Sequence, residues 1–333
     1  MKISANVTTY NRAILLPETL DAILAQSRPA DEVIVVNDGS TDNTAEVLAS
    51  YGGRVIAINQ ANTGVQAARN AGFARATGDY VALTDDDDIW EPRYLEAQAA
   101  LLSIEPDIGI SFGNFRNLAD GVIGQERKFD QAPSGWWDRL PRRAYPQGWV
   151  FDNSIAGATF TFHPVFVSAM VVARALWQRV GGYNPSLGHI GGEDGEFTLR
   201  CLYGAKTAAL PEPLVLIRRH AGNFSADMAR RLQGEILCLR HILANHPEAV
   251  QYRAIIEREI RLRQVLTLDA AFAAFNHALA RRAFAEIAPA DRTAKLWLKR
   301  LVAGLPDVLG HPVNVLLQRI VSGDVAAQGP VLR

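Results

Sequence analysis

The strongest chemical signal in the chain is a run of four consecutive aspartates, Asp85–Asp88, which follows the hydrophobic segment Gly78–Thr84. Adjacent carboxylates repel one another, so a compact protein keeps them together only when a cation offsets their charge. Oxygen ligands at the end of a strand suit Mg²⁺ or Mn²⁺, which take their remaining ligands from water and substrate phosphates. The run therefore predicts a divalent metal and a phosphorylated substrate. The alternative is a solvated acidic loop, because charge runs usually face water.

A second acidic centre, Glu193 and Asp194, directly follows two glycines. Gly191 and Gly192 allow the backbone to approach a substrate closely, and a carboxylate at this place can accept a proton from a substrate hydroxyl. The pair therefore indicates acid–base chemistry. The alternative is a structural role, since acidic residues stabilise the N-terminus of a helix.

Strand and helix patterns alternate over the first part of the chain, which predicts a parallel α/β sheet. The predicted strands are Ile3–Thr8, Glu32–Asn37, Val55–Asn59 and Tyr80–Thr84, and the predicted helices are Pro17–Gln26, Asn43–Tyr51 and Gly64–Ala76. In open α/β sheets, ligands bind at the carboxyl ends of the strands. We therefore expect the loops with Thr8–Tyr10, Asp38 and Asp85–Asp88 to meet at one crevice.

The pattern of the chain changes twice after the acidic run. Residues 106–224 are irregular apart from the strand-like run Phe166–Ala173, and so long an irregular segment usually forms a binding loop or a lid. From about Ser225 onward, apolar residues recur at helical spacing, which predicts a C-terminal helical region. We therefore place a domain boundary between residues 224 and 225.

Composition indicates a soluble globular protein, since 48% of the 333 residues are hydrophobic and 21% are charged. Residues 1–224 hold 19 Lys and Arg against 25 Asp and Glu, whereas residues 225–333 hold 15 against 10. The basic region is the better candidate for contact with an anionic surface, but no nucleic-acid-binding motif accompanies it. The two cysteines and an N-terminus without an apolar leader predict a cytoplasmic protein.

Six segments of the chain resemble inverting family-2 glycosyltransferases, which have the A-type nucleotide-diphospho-sugar-binding fold. In the order typical of that family, they are VTTYNR at 7–12, VIVVNDGSTDNT at 33–44, NTGVQAARNAG at 62–72, GDYVALTDDDDIW at 78–90, GGYNPSLGHIGGEDGEFTLR at 181–200 and RRHAGNFS at 218–225. The resemblance implies a mixed, Rossmann-like sheet in residues 1–224. It further implies a nucleotide-sugar-binding half at about 1–105 and an acceptor half at about 106–224.

The resemblance also implies roles for individual residues. Those implied to bind the nucleotide sugar are Thr8, Tyr10, Asp38, Arg69, Asp85 and Asp86, and those implied to bind the metal are Asp87, Asp85 and His220. Asp194 is the implied general base, and Glu193 is implied to bind acceptor or donor beside it. Structural roles remain open for several of these residues: Asp38 suits a turn, Tyr10 the rim of a loop, and Arg69 a surface ion pair.

Two positions depart from the family pattern or extend it. Asn37 stands where many members have an aspartate, so it keeps hydrogen-bonding capacity without charge. Asp88 is a fourth aspartate, which could orient metal ligands or cap the following segment. His163, Trp136 and Trp137 are weaker candidates for acceptor contacts, because aromatic residues stack on sugars but also fill protein cores.

The resemblance thus implies a metal-dependent glycosyltransferase that moves a single sugar, with inversion, from a nucleotide diphosphate to a saccharide or lipid-linked acceptor. Surface polysaccharide or glycoconjugate synthesis is the implied setting. The Q-x-x-R-W sequence of processive synthases is absent. Two alternatives remain: a sugar-1-phosphate nucleotidyltransferase, and a catalytically silent nucleotide- or sugar-binding module.

One C-terminal segment suggests contact with a membrane. Trp297 lies among three basic residues, Lys295, Lys299 and Arg300, and four aliphatic ones, Leu296, Leu298, Leu301 and Val302. Such a segment is typical of an amphipathic helix on an anionic lipid surface at the inner face of the membrane. The alternative is a helix whose apolar stripe packs on the protein core.

Overall fold

The structure of the chain is a computed structural model that describes residues 1–188, 191–220, 227–305 and 309–315. The chain forms two compact units, of which the first comprises Met1–His189 and Glu193–Asn223 and the second comprises Ile190–Gly192 and Phe224–Arg333. The expected boundary between residues 224 and 225 lies outside the described residues. That boundary and the division into two halves near residue 105 stay predictions.

The first unit is built on one mixed β-sheet with helices packed against it. Its strands are β1 (Ile3–Thr9), β2 (Glu32–Asn37), β3 (Ile56–Asn59), β4 (Tyr80–Asp85), β5 (Ile89–Trp90), β6 (Ile108–Ala119), β7 (Val122–Arg127), β8 (Arg142–Tyr145), β9 (Gly148–Phe151), β10 (Met170–Ala173) and β11 (Lys206–Arg219). Its helices are α1 (Leu16–Leu24), α2 (Thr44–Ser50), α3 (Val65–Arg75), α4 (Tyr94–Leu102), α5 (Ala156–Thr159), α6 (Arg174–Val180) and α7 (Glu193–Gly204).

The strand order places the predicted elements together. The order is β3-β2-β1-β4-β10-β6-β11-β9-β8, with β5 paired to β11 and β7 paired to β6. Strands β3, β2, β1 and β4 run parallel, as the alternating sequence pattern predicts. Strand β10 is antiparallel to both of its neighbours, so the sheet as a whole is mixed. The predicted mixed α/β fold with a helical C-terminal region is confirmed.

The region expected to be irregular contains two long strands. Strand β6 spans 12 residues and β11 spans 14, and the two pair in parallel over most of their length. Pro211 and Pro213 interrupt the strand pattern of β11, and the register shifts at this point because proline cannot donate to a ladder. The predicted strand Phe166–Ala173 is correct only in its second half, because Met170–Ala173 is a strand and Val167–Ala169 is a short 3-10 helix.

The second unit is helical over its described residues. It contains α8 (Met228–Asn245), α9 (Arg253–Ala273), α10 (His277–Glu286) and α11 (Ala294–Val302), and residues 309–315 are also helical. Between α9 and α10, Phe275 takes a positive φ of 57°, and the Asn276 side chain accepts the N–H of Leu279 at 3.0 Å. No helix among the described residues is both long enough and apolar enough to cross a membrane.

Helix α3 lies unusually close to β1. The buried side chain of Asn6 on β1 donates from Nδ2 to the carbonyl of Arg69 on α3, at 3.1 Å. A methyl group added at Gly72 would lie only 2.0 Å from Asn6 Oδ1. The close approach therefore requires glycine at this helical position, although glycine is a poor helix former.

Gly72→Ala is expected to destabilise the first unit. Alanine improves helix propensity by about 1 kcal/mol, but the overlap with Asn6 forces buried groups apart, and overpacking usually costs about 1–3 kcal/mol. The net effect should be a lower melting temperature in thermal unfolding. Gly53→Ala is the matched control, because nothing lies within 4 Å of the added methyl there. A Gly72→Ala protein as stable as wild type would contradict the packing described here.

Candidate active site

The carboxyl ends of three parallel strands form the floor of the site. Thr8 on β1 lies opposite Val36 on β2 and opposite Asp85 on β4. Asn37 at the end of β2 lies opposite Thr9. The three predicted loops therefore start side by side at one edge of the sheet, as the alternating pattern predicts.

Three of the four aspartates are buried, so the run is not a solvated loop. Asp86 and Asp87 are each 7% exposed and Asp88 is 2% exposed. Burial raises the pKa of Asp86 to about 7, and the charges of Asp85 and Asp87 add to this rise. Burial likewise raises the pKa of Asp87 and of Asp88. A cation at this place would offset the charge that the protein has gathered.

Different parts of the first unit supply donors to these buried carboxylates. Asp86 accepts the backbone N–H of Tyr10 at 3.3 Å, and the Arg12 guanidinium lies 3.9 Å away. Asp88 accepts the backbone N–H of Arg218 at 2.8 Å and the hydroxyl of Ser168. Asp88 therefore anchors the end of β11 and the turn before β10, a role that the sequence left open between two alternatives.

Two predicted metal ligands lie together. His220 directly follows β11, and its Nε2 lies 3.0 Å from Oδ2 of Asp87. Arg218, two residues earlier, donates from Nε to the Asp87 carbonyl at 2.9 Å, which fixes the end of the strand against the acidic run. A carboxylate and an imidazole that converge on one point are donors that suit Mn²⁺ or Mg²⁺ when further oxygen ligands are present. The residues at this place therefore fit a divalent metal.

Arg69 on α3 connects the acidic run with the second acidic centre. Its buried guanidinium donates from Nη2 to Asp85 Oδ1 at 2.8 Å and from Nη1 to Asp194 Oδ1. Burial lowers the pKa of the Arg69 guanidinium, but the negative charges of Asp194 and Asp85 have the larger effect. The pKa is therefore raised overall. Arg69 itself is buried, and this one cation joins two predicted functional carboxylates that are partly exposed.

Asp194 remains accessible, unlike the aspartates of the run. It lies in the first turn of α7, and 40% of its side chain is exposed. Enclosure by the protein raises its pKa to about 7, Arg69 acts in the opposite direction, and Glu193 and Asp85 add to the rise. Glu193 is 8% exposed. Asp194 is therefore the carboxylate of the pair that a substrate can reach, with a pKa near neutrality.

One face of α3 holds the segment that leads to Asp194, a role that the sequence analysis missed. Gln66 donates from Nε2 to the Gly188 carbonyl at 2.6 Å. The Asn70 side chain accepts the N–H of Tyr183 and donates to its carbonyl, both at 2.8 Å. Gln66, Arg69 and Asn70 recur at helical spacing, and this periodicity was the available signal. The partners of Gln66 and Asn70, Gly188 and Tyr183, are more than a hundred residues away in sequence, so nothing local identifies these contacts.

The residues implied to bind the nucleotide lie at the same edge of the sheet. Asp38 is buried, and its carboxylate accepts Gln60 Nε2 at 2.7 Å and the N–H groups of Thr63 and Gly64, each at 2.9 Å. Asp38 therefore holds the loop before α3 in addition to any ligand. Thr8 is buried, whereas Tyr10 is 46% exposed and free to stack on a planar base.

Two of the weaker candidates, Trp136 and Trp137, lie in an aromatic cluster. Trp136 is 4% exposed and packs edge-on against Trp137 and Phe162, with ring centroids 4.6 and 5.2 Å apart. Trp137 in turn packs on Phe129. Core packing therefore accounts for Trp136. His163 hydrogen-bonds the Val165 carbonyl at 2.9 Å through Nδ1.

Residues 4–163 match the sequence profile of the family described as Glycosyl transferase family 2. TuaG of Bacillus subtilis, a glycosyltransferase named for teichuronic acid biosynthesis, is 34% identical over 135 residues, which cover 39% of this chain and 53% of TuaG. The chain spans less than two thirds of the length of the first curated relatives that it matches.

Two of the six motif segments are described only in part. Residues 189–190 of the fifth segment and residues 221–225 of the sixth lie outside the described residues.

Solved structures share the fold. A crystal structure of Staphylococcus aureus TarS (residues 1–349) in complex with UDP-GlcNAc has a TM-score of 0.57 at 18% identity, over 91% of this chain and 89% of that one. PcManGT, a mannosyltransferase from Pyrobaculum calidifontis in complex with GDP-Man and Mn²⁺, has a TM-score of 0.56 at 19% identity, over 97% and 86%. At this level of identity the likeness shows the A-type fold alone.

Arg69→Met is expected to destabilise the protein in a pH-dependent way. Without the cation the pKa of Asp194 rises further, so the folded protein favours the protonated acid and loses stability as the pH rises through that pKa. Unpairing a buried ion costs about 3–5 kcal/mol, and the partial exposure of Asp85 and Asp194 reduces this to about 1–3 kcal/mol. Thermal unfolding should show a larger deficit at about pH 8 than at about pH 5.

Arg75→Met provides the matched control on the same helix. The Arg75 side chain is 46% exposed and lies 3.9 Å from Glu32, so its loss should change stability by at most about 0.5 kcal/mol at either pH. Equal deficits for the two variants, or a deficit for Arg69→Met that does not depend on pH, would contradict the bridging role of Arg69.

Proposed function

We propose that the chain, whose residues 4–163 match glycosyl transferase family 2, is a metal-dependent, inverting glycosyltransferase. The proposed reaction transfers one sugar from a nucleotide diphosphate to a hydroxyl of a saccharide or lipid-linked acceptor. The observation that carries the proposal is the Arg69 bridge, which joins the half-exposed Asp194 to Asp85, the first residue of the aspartate run. One carboxylate that a substrate can reach thereby lies beside a site that suits a metal and a diphosphate.

The comparisons support the donor class and the setting. TarS is seen with UDP-GlcNAc, and PcManGT is seen with GDP-Man and Mn²⁺, so this fold accommodates a nucleotide diphosphate sugar in both proteins and a divalent metal in PcManGT. The name of TuaG supports a setting in cell-surface polysaccharide synthesis. We also propose a cytoplasmic location, in line with the free cysteines Cys201 and Cys238.

Donor binding is divided among the strand ends. We assign the base and ribose to Thr8, Tyr10 and Asp38, since Tyr10 is exposed for stacking and Asp38 lies at the end of the neighbouring strand. Asp87 and His220, with Asp85 beside them, would hold the divalent metal. When bound, the metal supplies positive charge that stabilises the diphosphate as it leaves. Asp86 and Asp88 hold the surrounding loops in place through their hydrogen bonds.

Asp194 is the proposed general base. Its carboxylate accepts the proton of the acceptor hydroxyl while the hydroxyl oxygen attacks the anomeric carbon. The bond between the anomeric carbon and the diphosphate oxygen breaks, and its electron pair leaves with the diphosphate. Attack from the side opposite to the leaving group inverts the anomeric configuration. Arg69 holds Asp194 in position, and Glu193 raises the pKa of Asp194 towards the range in which a base works well.

Chelation is expected to abolish donor binding. Asp87→Asn keeps the shape of the side chain but removes the charge of a proposed metal ligand, so Mn²⁺-dependent binding of a nucleotide sugar should be lost in calorimetry. Asp130→Asn, at a half-exposed carboxylate, is the matched control and should bind as wild type does. Full turnover in the presence of EDTA would rule out the metal role.

Asp194→Asn should separate binding from chemistry. The variant is nearly isosteric, so donor affinity should stay close to wild type, while transfer should fall by at least about a hundredfold, because a positioned base contributes about 10²–10⁴-fold. NMR of the product should show the anomeric configuration reversed relative to the donor. Wild-type turnover in the variant, or a retained configuration, would contradict the assignment, and donor binding without transfer in the wild-type protein would indicate a silent module.

The pH profile tests the same base independently. Because Asp194 must be ionised to accept a proton, kcat/KM should rise with pH through about 7. Glu193→Gln removes a negative neighbour and should move this limb of the profile to lower pH. A profile that does not respond to Glu193→Gln would place the limb on another group.

A further inference from the structure

The second unit presents an apolar surface that its described helices leave uncovered. Helix α11 buries Leu296 and Val302, and the side chains on its other side are exposed. Leu298 and Leu301 are three residues apart on that side, Leu301 is 65% exposed, and Leu305 is exposed just beyond the C-terminal end of the helix. Trp297 packs edge-on against Phe284 yet remains 48% exposed. The exposed leucines therefore form a stripe and are not scattered singly.

The helical segment 309–315 has the same two-sided arrangement. Its inner side is fixed, because Gly310 is buried and Asn314 donates from Nδ2 to the Phe272 carbonyl at 2.8 Å. Its outer side exposes Leu309 and Val313, which are four residues apart. Both segments thus pack on one side and expose apolar side chains on the other. Contiguous exposed apolar surfaces of this kind usually mark a protein–protein or membrane interaction site.

The charge of the surrounding residues favours a membrane over a partner protein at this surface. Residues 292–305 contain four basic residues and no acidic one. Lys299 is held by Asp269 at 2.6 Å, whereas Lys295 is exposed beside the leucine stripe. Protein interfaces are depleted in lysine, while an apolar helix face edged by Lys and Arg, with Trp at its boundary, is typical of a helix in a lipid interface. The net positive charge of residues 225–333 also favours attraction to an anionic lipid surface.

We propose that α11 and the segment 309–315 dock the protein on the surface of an anionic lipid bilayer. Leu298, Leu301 and Leu305 enter the boundary between headgroups and acyl chains, and Lys295 and Arg300 meet the anionic headgroups. The attachment we propose is peripheral, because α11 and the segment 309–315 each keep one side packed within the second unit. The inference does not depend on the proposed function, because it concerns only the second unit.

Co-sedimentation of the full chain with vesicles tests this surface. The protein should bind vesicles of phosphatidylcholine mixed with phosphatidylglycerol, and bind those of phosphatidylcholine alone more weakly. Leu298→Ser/Leu301→Ser should weaken binding by about tenfold or more, since burial of each leucine contributes substantially. Leu262→Ser/Leu266→Ser is the matched control, because these two leucines are similarly exposed on α9 and lie outside the stripe. Thermal unfolding should show that both double variants remain folded.

The basic residues are tested separately. Lys295→Ala/Arg300→Ala should weaken binding to the phosphatidylglycerol vesicles by roughly fivefold per charge, and added salt should weaken wild-type binding in the same way. Lys299 is left unchanged because it pairs with Asp269 within the unit. Absence of vesicle binding, or equal loss in the α11 and α9 double variants, would overturn the proposal. So would light scattering that shows a wild-type dimer that Leu298→Ser/Leu301→Ser dissociates, without vesicle binding, because the stripe would then be a subunit interface.

Discussion

The burial of three consecutive carboxylates is the constraint on which the rest of the site depends. Asp86, Asp87 and Asp88 lie almost entirely out of water, where unpartnered charge is expensive. Each is therefore met by a different part of the chain: Asp86 by the loop after β1, Asp87 by His220, and Asp88 by Ser168 and the end of β11. Segments distant in sequence converge because the carboxylates need their donors. A metal would complete the neutralisation that these contacts begin.

Arg69 extends the same logic from the aspartate run to the proposed base. Removing a guanidinium from water costs free energy, and at Arg69 the attraction of two carboxylates offsets that cost. Because Arg69 belongs to α3, the position of Asp194 depends on how α3 packs on β1, down to the glycine that faces Asn6. Gln66 and Asn70 tie the segment before Asp194 to the same helix. One short helix therefore sets the spacing between donor site and base.

The sequence could predict what local periodicity encodes. The parallel strands β1–β4 and the convergence of their loops follow from buried apolar runs that end in polar residues. Strand β11 was missed because two prolines break its pattern and because long-range pairing with β6 stabilises it. Likewise, the sequence makes Trp136 a candidate for stacking on a sugar, whereas the structure places it in an aromatic core beside Trp137 and Phe162. The contacts of Gln66 and Asn70 could not be predicted from the sequence, because their partners are the backbone groups of Gly188 and Tyr183, which carry no residue-type signal.

Environment, more than residue type, assigns the carboxylates their different roles. The side chains of Asp86 and Asp87 are each about 10% exposed and surrounded by donors, so they suit an architectural or metal-binding role. The Asp194 side chain is 40% exposed and bound on one side by a single arginine, so its remaining oxygen surface can meet a substrate hydroxyl. A base must exchange protons with its substrate, and a carboxylate sealed among backbone donors cannot do so. Within one acidic cluster, the division between holding a metal and moving a proton therefore follows from solvent access.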